Sequence, residues 1–450
     1  MRASFFMILL VNLSWSESPA LKALLDSPAM KPASVGVFVI PLDGGETALQ
    51  WRADKALIPA STMKAVMTAT AMQVLGPKFC FETHLYQKGN DLVVKGGGDP
   101  TLGATVAEGA FSNWLTEMKS HGVDEFEDLW IDPTRFEEQR APNEWPSGDV
   151  GNYYGAGPSG ANYHLNSFSL TFKTGSVGER ARLSRVFPKP PGVEILNYMR
   201  TGSANSGDQG YVYGIPGSKV LILRGTVPAR GTFTIKGALP EPPLMLGTAL
   251  KSYLVGKGIE VNGQVKVGPV DVGGIAPFHV SKSPSLAKII KGTNHRSVNL
   301  YADSIFKILT PAGSTKASID KVKTHWQKQG VDLTGFVMHD GSGLSPRGVI
   351  TPRQLGMILK MAREHETGPA FLASLPLAGK SGTLVGFGKG TTIENNVRAK
   401  SGGLTGVWAY AGYFTGQSGR EYAFAVMVNN AIGSPTGKLA SFLADLVDES

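Results

Sequence analysis

Ser61-Thr62-Met63-Lys64 sets a hydroxyl three residues ahead of a lysine, at what reads as the start of a helix. Residues i and i+3 share a helix face, so Lys64 can reach the Ser61 hydroxyl. A serine hydroxyl is a weak nucleophile and needs a base beside it. A lysine can be that base when burial and the positive end of a helix disfavour its ammonium form. The chemistry would be acyl transfer through Ser61. As a tetrapeptide the motif is common, so its partners must decide.

Such an enzyme needs a proton relay, a cation for the substrate carboxylate and an oxyanion hole. Ser297-Val298-Asn299 stands at a second predicted helix start. The Ser297 hydroxyl can pass a proton, and the Asn299 amide can bond Lys64 or a substrate carbonyl. In isolation the same serine reads as a helix N-cap. A Lys-Ser-Gly element occurs twice, at Lys380-Ser381-Gly382 and Lys400-Ser401-Gly402. The role calls for an edge strand. Lys400 precedes the strand-like run Thr405–Thr415, a turn and a return strand, whereas Lys380 precedes a glycine-rich stretch. The pattern favours Lys400. Lys400 and Ser401 would hold a C-terminal carboxylate, with Gly402 and Gly403 beside them as substrate-binding residues. The backbone N–H groups of Ser61 and Gly403 would form the oxyanion hole.

Elements to position these residues follow from the pattern. Residues 33–42 read as a buried strand, a turn at 43–46 reverses it, and helix 61–75 ends at Gly76-Pro77. Between 79 and 275 short strand-like runs dominate, with helical patches at 107–120 and 244–257. Beyond 276 helices follow at 285–292, 297–309, 314–329, 351–364 and 369–375. Two strands, 405–415 and 422–429, and an amphipathic helix close the chain. The order implies a discontinuous catalytic domain, 20–78 with 276–450, and a β-rich insertion, 79–275, built as two nested subdomains.

Composition narrows the function classes. The net charge of +8 is spread without a basic block, which argues against nucleic acid. Cys80 is the single cysteine, so no intramolecular disulfide or thiolate cluster forms; it falls in the alternating run 79–86 and reads as structural. The eight histidines show no metal-ligand spacing, so neither metal nor cofactor is implied. Residues 1–16 carry Arg2 and the apolar core Phe5–Leu13 of a signal peptide. No later segment is long and apolar enough to span a bilayer, so the mature chain is expected to be exported.

Taken in order, these motifs resemble the DacB-like D-alanyl-D-alanine carboxypeptidases, the low-molecular-mass class C penicillin-binding proteins. Further matching strings are Gly96-Gly97-Gly98-Asp99-Pro100, Tyr154-Gly155-Ala156, Asp340-Gly341-Ser342-Gly343 and Gly382-Thr383-Leu384. The resemblance covers nearly the whole mature chain, including the long interval between Ser61 and Ser297. It implies an α/β (mixed α+β) penicillin-binding fold, an antiparallel sheet flanked by helices. The implied partners are peptidoglycan muropeptides ending in D-Ala-D-Ala and β-lactam antibiotics, in the periplasm or at the cell wall. It also implies catalytic roles for Ser61, Lys64, Ser297, Asn299 and Lys400, a flanking role for Lys380, and Asp340 at the substrate rim. The chain departs from the family at Val298, commonly aspartate, and in having Ser401 for threonine. A β-lactamase or esterase on the same fold, or a non-catalytic wall-binding scaffold, are the alternatives. The deacylating motif of a class A β-lactamase has no well-spaced counterpart.

Overall fold

Residues 18–103 and 107–450 are described by a computed structural model, with the backbone alone at 107 and 108. The expected signal segment, 1–16, lies outside the described residues. Helix α1 (Pro19–Leu25) leads to strands β1 (Ser34–Pro41) and β2 (Leu49–Trp51). A single 3-10 turn, Ala60–Thr62, then runs into α2 (Met63–Leu75). Every residue from Met63 to Met72 is buried, so α2 has no solvent face and sits inside the core. Gly76, at φ 79°, stops it.

The long interval that follows carries four sheets. Strands β3 (Glu82–Lys88) and β4 (Asp91–Lys95), helix α3 (Ala107–Ser120), β5 (Glu125–Phe126), β6 (Leu129–Asp132) and the short α4 (Ser147–Val150) come first. Then follow β7 (Ser167–Lys173), β8 (Arg182–Phe187), β9 (Glu194–Asn197), β10 (Arg200–Gly202), β11 (Gln209–Tyr213), β12 (Val220–Pro228) and β13 (Thr232–Ala238). Helix α5 (Pro242–Val255), β14 (Glu260–Val261), β15 (Val265–Val267) and β16 (His279–Lys282) complete it. The order β15-β6-β4-β3-β16 forms one sheet, and its β15/β6 and β6/β4 pairs are parallel. Parallel strands need covered faces, which α5 helps to supply through Leu246 and Leu250. Two smaller sheets, β13-β7-β8 and β9 to β12, share that apolar cluster through Phe168, Leu170, Val212 and Leu223. Cys80 lies in irregular chain just before β3 rather than within a strand. The Phe81 N–H bonds Ser283 Oγ, and the Phe79 carbonyl accepts from Leu286, so local crossings replace ladder pairing.

Helices α6 (Leu286–Arg296), α7 (Asn299–Ile308), α8 (Thr315–Lys328), α9 (Pro352–Glu364) and α10 (Gly368–Ser374) come next. Thr351 and Gln354 cap α9 reciprocally, and Pro352 occupies its first turn. Strands β17 (Arg398–Leu404), β18 (Val407–Thr415) and β19 (Glu421–Asn429) precede α11 (Thr436–Glu449). The chain closes on itself in an antiparallel sheet of order β17-β18-β19-β1-β2. Alternate residues of β1 face opposite layers. Phe38 and Ile40 pack with α2, α7 and α9, while Val35, Val37 and Val39 pack with α1 and α11. The result is a mixed α/β fold with the sheet between two helical layers. β17 is its edge, so the Lys400 strand is paired on one side only along most of its length.

Candidate active site

Ser61 sits in the 3-10 turn that feeds α2, at the buried end of that helix. The preceding Ala60 holds φ 47°, a left-handed conformation costly for an L-residue. One turn on, Lys64 is fully buried. Its Nζ lies 2.9 Å from Ser61 Oγ, 2.6 Å from Asn299 Oδ1 and 2.6 Å from the Ser342 carbonyl. Asn299 heads α7, and its Nδ2 donates to the Tyr154 carbonyl at 2.7 Å. That acceptor fixes the amide orientation and turns Oδ1 toward Lys64. As an ammonium, Lys64 donates to all three partners. As a free amine it has two hydrogens, and Ser61 is the one partner with a proton to return. The network therefore accepts both forms and reverses the Lys64–Ser61 bond between them.

Burial lowers the Lys64 pKa to about 8, against the pull of Asp303 and Asp340 toward the ammonium. Asp303 lies one turn beyond Asn299 on α7 and accepts from the Gly341 N–H at 2.8 Å. Burial, then the charge of Asp340, raises its own pKa. Its Oδ2 and the neighbouring Ser342 hydroxyl are buried without a well-formed hydrogen bond to protein.

Ser297 occupies the junction between α6 and α7, two residues before Asn299. It adopts φ 56° and ψ 38°, so it ends α6 rather than capping α7; Val298 takes the N-cap position. Lys400 is fully buried on β17 and bonds the Ser401 carbonyl at 2.6 Å. Burial and the nearby Lys64 charge hold its pKa well below the ordinary lysine value. The edge strand presses against the nucleophile turn. A Cβ on Gly402 would lie 2.6 Å from the Pro59 carbonyl oxygen and 3.0 Å from the Ser61 nitrogen. Ser401 Oγ lies 2.7 Å from Thr383 Oγ1. Lys380, from the other Lys-Ser-Gly copy, is half-exposed and pairs with Glu394 at 3.1 Å. Ser61, Lys64, Asn299, Lys400 and Gly402 are thus brought together, and Lys380 is not.

Asp340, expected at the substrate rim, faces inward instead. It is buried, and its carboxylate accepts from Gly343 N at 2.6 Å, Ser345 N at 2.8 Å and Trp145 Nε1 at 2.7 Å. Its oxygens are spent on shaping the loop that offers the Ser342 carbonyl to Lys64. Gly343 in that loop has φ 73°, and a Cβ there would lie 1.9 Å from the Ala60 carbonyl oxygen. Sequence reasoning did not single out Asp303 or the carbonyls of Tyr154 and Ser342. Asp303 follows Asn299 by one helical turn, a usable signal; backbone acceptors leave none. A cavity of about 830 Å³ lies elsewhere, beside Lys78, Cys80, Arg135 and the C-terminal end of α7.

Residues 18–444 match the model of the D-Ala-D-Ala carboxypeptidase 3 (S13) family. The chain is 29% identical to the D-alanyl-D-alanine carboxypeptidase of Actinomadura sp. (strain R39), over 92% of this chain and 80% of that one. It is 26% identical to D-alanyl-D-alanine carboxypeptidase DacB of Haemophilus influenzae, over 91% and 87% of the two chains. The crystal structure of penicillin binding protein 4 (dacB) from Haemophilus influenzae superposes with a TM-score of 0.83 at 24% identity, covering 96% of this chain and 99% of that chain.

Proposed function

This chain belongs to the D-Ala-D-Ala carboxypeptidase 3 (S13) family, and from that premise we propose that it is a serine-type carboxypeptidase working through an acyl-enzyme on Ser61. The observation that carries the assignment of roles is Lys64: a buried amine, 2.9 Å from Ser61 Oγ, with its pKa lowered to about 8. Neutral Lys64 takes the Ser61 proton as Oγ attacks the carbonyl between the two terminal D-alanines. The Ser61 and Gly403 N–H groups receive the oxyanion, supported by the press of β17 on the nucleophile turn. Ser297 delivers its proton to the departing D-alanine amine and takes in exchange the one that Lys64 removed from Ser61, which leaves Lys64 a free amine again. Lys400 and Ser401 hold the terminal carboxylate, which restores the ammonium form that burial disfavours. Water, activated by the same Lys64, then frees the enzyme.

The substrate reading is peptidoglycan stem peptides ending in D-Ala-D-Ala. The open edge of β17 accommodates a continuing chain, so we extend the reading to D,D-endopeptidase cleavage of cross-links. Penicillins would acylate Ser61 by the same attack. Among the described residues no helix is long and apolar enough to cross a membrane, and we place the enzyme outside the cytoplasm, at the wall. The test uses the protein and its Ser61→Ala variant with labelled penicillin and with a D-Ala-D-Ala muropeptide. A stable adduct and D-alanine release, both absent in the variant, support the reading. Absence of both in the parent overturns it in favour of a scaffold, and rapid penicillin turnover overturns it in favour of a β-lactamase.

A further inference from the structure

Tyr153 follows directly on Asn152, whose Oδ1 accepts from the Val212 N–H at 3.1 Å at the edge of β11. The contact joins the turn that supplies the Tyr154 carbonyl to the sheet of β9 to β12. On β11, Val212 points into the core, while Tyr211 and Tyr213 stand on the opposite face, 41% and 40% exposed. Their rings lie 6.3 Å apart, a strand repeat along the surface. Arg224 is the cross-strand partner of Tyr211, on the same face, and stacks over Tyr198 at 5.8 Å. Tyr198 is 54% exposed. At the other end Tyr153, 55% exposed, meets Tyr154 edge-on at 5.4 Å. Tyr211 is close enough to Tyr154 to help hold its phenol protonated, after burial and Asp149. The turn that offers the Tyr154 carbonyl to Asn299 is thus tied through Asn152 to the edge strand β11, which carries Tyr211 and Tyr213 outward.

Tyr153, Tyr198, Tyr211 and Tyr213 are each 40–55% exposed, and large exposed apolar surfaces rimmed by polar groups mark ligand-binding or interaction sites. We propose that this face binds the glycan strand of a peptidoglycan substrate, with sugar rings stacked on Tyr153, Tyr211, Tyr213 and Tyr198. The negative faces of the rings meet the C–H edges of pyranoses, and each phenol bonds a sugar hydroxyl. Arg224 faces the carboxylates of the peptide stems. Continuity with the active site identifies the occupant: a stem peptide in the Ser61 site is attached to a glycan that must leave over an adjacent surface. The inference rests on the peptidoglycan reading above.

The test separates binding from turnover. Peptide-free glycan strands are the probe, and retention is measured by co-sedimentation with the full Ser61→Ala protein. Tyr211→Ser with Tyr213→Ser is expected to lower retention about tenfold, and Tyr211→Phe with Tyr213→Phe to keep most of it. A parallel assay in the Ser61 enzyme compares D-alanine release from a small D-Ala-D-Ala peptide with release from glycan-linked polymer. The serine pair is expected to lower the polymer-to-peptide ratio about tenfold. Failure of the function reading appears as no D-alanine release from either substrate, whatever the retention. Equal glycan retention by parent and serine pair overturns the platform. So does retention that added salt alone abolishes, which marks adsorption through arginines. A concentration-dependent dimer lost in the serine pair, without glycan retention, overturns it in favour of a second copy of the chain.

Discussion

The acid limb of the rate profile should belong to Lys64, and Asp303 should set where it falls. Lys64 is a base in its amine form alone. With its pKa lowered to about 8, the amine fraction is about 1% at pH 6 and about half at pH 8. The second-order rate of Ser61 acylation by a labelled penicillin should rise about fiftyfold over that interval and level off above pH 9. The sign for Asp303 follows from charge. A carboxylate beside Lys64 favours the ammonium, so Asp303→Asn lowers the lysine pKa and moves the limb to lower pH. The side-chain carbonyl of asparagine still accepts from Gly341, so the loop keeps its anchor. A shift of about one unit, the low end for a neighbouring charge, raises the amine fraction at pH 7 from about 9% to about half. Burial raises the Asp303 pKa to about 7, so part of that charge is already absent at pH 7, and acylation there should increase by up to about fivefold. Stopped-flow acylation in a constant-ionic-strength buffer series reads both effects. A profile flat between pH 6 and 9 would refute Lys64 as the base, and an unmoved or upward-shifted limb in Asp303→Asn would refute the electrostatic account.

Ser297→Gly should separate strain from function. Relief of the left-handed φ leaves thermal stability equal to the parent or up to about 1 kcal/mol higher, while D-alanine release falls about 10²-fold. Melting well below the parent would contradict this. Trp145→Phe keeps the bulk and removes one hydrogen bond to the buried Asp340 carboxylate. It should cost ~1.5–3 kcal/mol in denaturant unfolding and slow acylation, because Asp340 shapes the loop that holds Lys64. Parent-like values in both assays would sever that link. Lys380→Ala should change kcat/KM by less than about twofold, since its pair with Glu394 lies at the surface. Lys400→Ala should lower kcat/KM about 10²-fold; comparable losses would return Lys380 to contention.

Most of the site was legible because its chemistry needs side chains in a set order. Ser61 and Lys64 share a helical face, and Asn299 and Lys400 occupy element starts that turn and periodicity signals mark. The reading faltered where backbone does the work. β17 carries Gly402 and Gly403, poor strand formers, because Gly402 must lie flat against the Ser61 turn; the strand signal in the sequence appears only from residue 405 onward. Helix α2 shows no amphipathic period, being buried all round, and was recognisable from its ends. Ser297 resembled an N-cap by type, yet its left-handed backbone closes the preceding helix. Asp340 was expected at the substrate rim from the family resemblance, since Asp-Gly-Ser-Gly by itself reads only as a structural turn. Its burial depends on Trp145, nearly two hundred residues away, which no local pattern encodes.

That distant contact bears on what the insertion is for. On the proposed division, Trp145 and Tyr154 lie in the 79–275 interval, whereas Asp340 and Asn299 belong to the catalytic part. The Tyr154 carbonyl orients the Asn299 amide, and Trp145 completes the Asp340 carboxylate. The same interval clasps α7 and its following turn: Lys307 bonds the Gln139 carbonyl and pairs with Glu137, and Arg135 bonds the Thr310 carbonyl. Without these groups the Asn299 amide and the Asp340 carboxylate would each lose a buried partner, at about 1 kcal/mol for the neutral bond and ~1.5–3 kcal/mol for the charged one. Two of the acceptors on Lys64, Asn299 Oδ1 and the Ser342 carbonyl, would then be free to turn away. An amine held at 2.9 Å from Ser61 by oriented acceptors is therefore a property of the assembled chain, and residues 20–78 joined directly to 276–450 would carry the motifs without the base.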